Sequence, residues 1–119
     1  MNSTPSLAHY ACHRLIDEYG NLHSSSVVTL DKNTHFVVKY TPFDHTESPF
    51  IRWTGGIIIL GQHPDTHPLY PGDTLSHYIQ ERATTPSPHT TTLVAWHTPL
   101  TDITSPLPTP LVRIEKAFH

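Results

Sequence analysis

The run Ile57-Ile58-Ile59-Leu60 constrains this chain more than any other segment. All four positions are apolar, and the three isoleucines are β-branched, which suits a pleated strand better than a helix. A strand turns successive side chains to opposite faces, so apolar groups at every position require cover on both. Gly55-Gly56, just before it, permits a bend or a close backbone approach. The run is far too short to cross a membrane. The fold must therefore hold a strand between two layers.

Most of the remaining chain also reads as strand. Leu7 to Ile16 alternates, but with apolar groups on both sets of positions, so its period of two is partial. Asp17 to Asn21 reads as a turn, because Gly20-Asn21 tolerates positive φ. Ser26 to Leu30 and His35 to Tyr40 form a hairpin about Asp31-Lys32-Asn33-Thr34. Pro42 to Pro49 interrupts the pattern and Phe50 to Trp53 restores it. Prolines make 62–71 a loop. One helix of about residues 74–82 follows, capped by Asp73 or Thr74, with Leu75, Tyr78, Ile79 and Arg82 at helical spacing. Thr84 to His89 is a connector, Thr91 to Trp96 a strand, and Pro99 to Pro110 an ordered loop or extended edge. Leu111 to Phe118 alternates as a last strand. The expected class is mainly β: a small folded mixed sheet, β-sandwich or pseudo-barrel with one short α-helix. Residues 1–119 read as a single domain, with 1–6 as a flexible N-terminus.

Composition narrows the function classes. Charged residues are 14% of the chain and prolines number 12, which disfavours a helical bundle. Net charge is −3 with no basic cluster, so nucleic acid is not an expected partner. Cys12 is the single cysteine, so no intrachain disulfide forms. Its apolar neighbours read as a buried thiol. No membrane segment or secretory leader is read at the N-terminus, and the expectation is a cytoplasmic protein.

Several segments together resemble the composite β-domain of the amidohydrolase superfamily, the accessory part that flanks the catalytic barrel. Arg14 to Gly20 is similar to that family's opening strand and turn, and Val27 to Val38 to its hairpin. Gly55 to His63 overlies the metal motif that closes the N-terminal part of that domain. Thr92 to His97 with Thr109 to Ile114 resembles the closing hairpin. Gly56 and Ile58 keep the family residues. Gly55 stands at the usual proline, Ile59 at the aspartate and Gly61 at the first metal histidine. His63 alone coincides with a ligand. A catalytic metal needs about three protein ligands, and the barrel that would carry the others needs on the order of 200 residues. The resemblance thus implies a β-frame without the chemistry, with no catalytic residues and no cofactor.

Eleven histidines leave a second possibility. His63, Asp65 and His67 share a loop that can gather them around zinc or another divalent metal, with His97 as a further ligand. Pro64 and Pro68 rule out the helical i, i+4 arrangement there. His9 and His13 would sit roughly 13 Å apart on one strand, too far for one ion. Asp17-Glu18 and Asp44-His45 place acid–base groups in loops, where such residues are usually solvated. Ser24-Ser25-Ser26 lacks the surroundings of a nucleophile elbow. The first functional expectation is a non-catalytic β-domain acting by homo-oligomerisation or by binding a protein partner. The alternatives are a small metal protein or metal-dependent hydrolase at 63–67, and a small-molecule binding module. Exposure of Trp53 or Trp96 beside Tyr70 would mark a partner patch or ligand cleft.

Overall fold

The computed structural model describes residues 6–43, 51–62, 72–83 and 93–117. Its strands are β1 (Leu7–Cys12), β2 (Arg14–Ile16), β3 (Leu22–His23), β4 (Ser26–Asp31), β5 (Val37–Pro42), β6 (Ile51–Trp53), β7 (Ile57–Gln62), β8 (Leu93–Thr98) and β9 (Val112–Arg113). The helices are α1 (Leu75–Ala83) and α2 (Ile114–Ala117). One sheet runs β5-β4-β1-β6 and the other β3-β2-β7-β8-β9. The protein is mainly β, and its described residues form a two-sheet arrangement with no closed barrel.

Two chain segments cross together from the first sheet to the second. β1 passes through His13 into β2, and β6 passes through Thr54-Gly55-Gly56 into β7. They lie parallel on both sides of the crossing, with Ala11 opposite Trp53 and Arg14 opposite Ile57. The 54–56 side thus spends one residue more than the 12–13 side. Gly55 and Gly56 absorb it at φ of 65° and 62°, which side-chain-bearing residues rarely adopt. A Cβ on Gly56 would collide with the carbonyl of Thr98. Thr54 N–H donates to Ala11 O (2.8 Å), and His13 N–H to Gly56 O (3.1 Å), which closes the seam. The single strand expected over Leu7 to Ile16 is therefore two. Its mixed periodicity arises because the two halves belong to different sheets.

Two apolar cores result. Tyr10, Cys12, Val28 and Leu30 of the first sheet pack on Leu15, Ile58, Leu60 and Ala95 of the second. On the far side of the second sheet, Ile16, Ile57 and Ile59 pack under Leu75, Tyr78, Leu107 and Leu111. Ile57 to Leu60 is fully buried, with alternate residues in the two cores. Each such side chain contributes about 1.5–3 kcal/mol.

α1 begins where its cap was expected, with Thr74 Oγ1 accepting from His77 N–H (3.2 Å). The proline-rich 99–110 segment is an ordered loop that docks on this helix start. Gly72 N–H donates to Leu107 O and Leu107 N–H to Asp73 O, each at 2.9 Å. The expected last strand is corrected: it pairs only at Val112 and Arg113, and Ile114–Ala117 turns helical. The turn drops Ile114 into the core between the sheets. Pairing with β8 stops at Arg113, and the residues that follow close their backbone hydrogen bonds within a helical turn. The 1–5 part of the expected N-terminal tail, the 63–71 and 84–89 connections and most of Pro42 to Pro49 lie outside the described residues.

Candidate functional site

His63, Asp65 and His67, together with Tyr70, also lie outside the described residues. Among the described residues, no three His, Cys, Asp or Glu side chains are grouped to hold a metal ion. His97, the fourth candidate ligand, is committed to the seam. It is buried, and its Nε2 donates to Gly55 O at 3.1 Å. Burial holds its pKa below the usual imidazole value, against the opposing pull of the Gly55 and Thr54 carbonyls. His9 is likewise engaged, with Nδ1 2.9 Å from Thr29 Oγ1. Cys12 is fully buried, and burial pushes its thiol up to about 11, so it is uncharged near neutrality.

At the sheet crossing, the outer face of the first sheet carries an aromatic cluster. Trp53 is 48% exposed on the three-residue end strand β6. His13 meets it edge-on, with ring centroids 4.7 Å apart, and Phe43 lies 6.0 Å away. Ala11 pairs with Trp53 across the strands, and Val27 pairs with Ala11, so an apolar floor continues beneath the ring. Trp96 is partly buried against the second core instead, with the Arg113 guanidinium 5.7 Å from its ring. Arg113 also pairs with Glu115 at 2.8 Å.

A hydrogen-bonded polar cluster lies where the β2–β3 turn meets β5. Asp17 was expected to be a solvated loop acid. Its side chain is 4% exposed and fully engaged. Oδ1 accepts from the N–H groups of Tyr19 and Asn21, both at 2.9 Å, and Oδ2 accepts from His23 Nε2 at 2.8 Å. Burial would raise the Asp17 pKa, but the bonds from His23 and the two backbone N–H groups outweigh it and hold the carboxyl below its usual range. A carboxylate only accepts, so Nε2 of His23 must carry the proton. In the neutral ring Nδ1 is then a lone-pair acceptor. The Tyr40 ring packs against His23 at 5.8 Å, and its hydroxyl donates to Glu18 Oε1 at 3.1 Å. Burial, then the Glu18 carboxylate, push the phenol up to about 12.

This cluster backs an open cleft of about 450 Å³ lined by residues 22–26 and 40–42. Ser26 is tied to Ser24, its hydroxyl donating to the Ser24 carbonyl at 2.8 Å. Sequence reading kept Asp17 and the serines apart and did not single out His23. The available signal was the spacing: an acid, a glycine turn at Gly20 (φ 87°), and a histidine six residues on.

The geometry thus defines a two-sheet β-domain with an aromatic surface at the crossing and a polar cleft at one end. No family model, curated protein or solved structure matches the chain.

Proposed function

We propose that this chain is a non-catalytic β-domain that acts by binding, and that its first partner is a second copy of itself. The single observation carrying this reading is the half-exposed Trp53 on an end strand, steadied by His13 and Phe43. Large aromatic side chains held in place at a surface are the anchors that dominate association energies. Among the described residues β6 ends its sheet, so two copies related by a two-fold axis would bring Trp53 against the partner's Trp53 and strand edge against strand edge. The resemblance to the amidohydrolase accessory domain supports the same reading. It implies a β-frame retained without metal ligands, since Ile59 and Gly61 stand where ligands or their supports would be.

Sedimentation velocity tests this directly. Wild type is expected to dimerise as concentration rises, and Trp53→Ala to stay monomeric while keeping its circular dichroism. A wild type that remains monomeric throughout would sink the proposal.

A further inference from the structure

We infer that the cleft between residues 22–26 and 40–42 is a binding site for a neutral, hydroxyl-rich small molecule of the monosaccharide type. A volume of about 450 Å³ falls within the range of small-ligand pockets, about 300–1,000 Å³. What the cleft offers is chemically selective. Its polar lining comes from Ser24, Ser25, the β5 backbone at Thr41 and the imidazole of His23, between Leu22 and Pro42.

Among the described residues, none in the lining carries a permanent charge. An anion would face the Asp17 carboxylate directly behind His23, without a lysine or arginine in the lining to offset it. A cation would find both oxygens of Asp17 already engaged, and Oε1 of Glu18 already taken by Tyr40. A neutral polyol meets neither penalty. Its hydroxyls bond Nδ1 of His23 and exchange bonds with the serine hydroxyls, while its C–H face lies on the Tyr40 ring.

The lining is also set before any ligand arrives. Asp17, anchored by two backbone N–H groups, fixes the His23 ring and its tautomer. Tyr40 is held by Glu18 and by the edge of His23. Such supporting shells keep binding groups in place without ordering cost on association. The cleft is shallow and open, so affinity in the millimolar range is expected.

The test is an NMR titration of the full chain, following backbone amides, with D-glucose, D-galactose and D-ribose as probes. Sodium acetate and methylammonium chloride serve as charged controls. At least one sugar should give saturable shifts centred on residues 22–26 and 40–41, with neither salt saturating there. His23→Phe should weaken that sugar at least tenfold. Ser25→Ala, which leaves the buried frame untouched, should weaken it several-fold, so a misfolded His23 variant would not leave the question open. Absence of saturable shifts with all three sugars would overturn the inference. So would saturation by either salt at the same residues, or sugar affinity unchanged in the Ser25 variant.

Discussion

Two histidines in this protein make opposite use of the same chemistry. His97 and His23 each donate a ring N–H to an oxygen, His97 to the carbonyl of Gly55 and His23 to the carboxylate of Asp17. His97 is buried at the sheet crossing. His23 has a side chain 41% exposed and lines a cleft. The crossing uses its histidine to close backbone geometry. The turn uses its histidine to present a fixed imidazole to the outside. Buried polar groups specify structure, whereas fixed polar groups at a surface are available for recognition.

The difference can be broken most severely at the crossing. Gly56→Ala forces a Cβ onto the Thr98 carbonyl at a positive φ. Both effects act together, and the protein should lose several kcal/mol or fail to fold. Ile58→Ala, in the adjacent core, should cost about 2–5 kcal/mol. Urea denaturation measures both. If Gly56→Ala folds with wild-type stability, the seam is not the rigid element described.

Smaller effects separate the crossing from the turn by pH, through His97 and Asp17. The folded-state pKa of His97 is depressed, so the stability it contributes is present above its unfolded value near 6.5 and is lost as pH falls below it. Thermal melts should show this loss as pH falls below about 6.5, and His97→Gln should flatten it. Asp17 is also depressed, so its contribution is lost only at lower pH, as pH falls below about 3.9. Asp17→Asn should cost about 1–3 kcal/mol near neutrality and remove part of the steep acid limb. A melt profile unchanged in both variants would contradict the roles assigned here.

How much of this was legible in the sequence follows from which interactions are local. Ile57 to Leu60 announced two-sided burial because each side chain states its own preference. The α1 start was legible because Thr74 caps a residue only three positions on. The sheet crossing was hidden, since it rests on one extra residue in 54–56 measured against a segment about 40 positions away. The end of the last strand was hidden for a similar reason: alternation continues past Arg113, but pairing with β8 does not. The cleft joins a turn at 17–23 to β5 through His23 and Tyr40, a contact no local pattern encodes. Asp17 illustrates the point, since an acid beside a turn glycine reads as solvated until its acceptors are seen to be filled.

The smallest expected effect on stability carries the largest expected effect on behaviour. Trp53→Ala removes a half-exposed ring and should change folding stability by less than about 1 kcal/mol. Sedimentation velocity of wild type and Trp53→Ala across a wide concentration range tests the binding role most directly. The expected result is a reversible wild-type dimer that the substitution abolishes. A wild-type monomer at every concentration, or a dimer indifferent to Trp53, would contradict it.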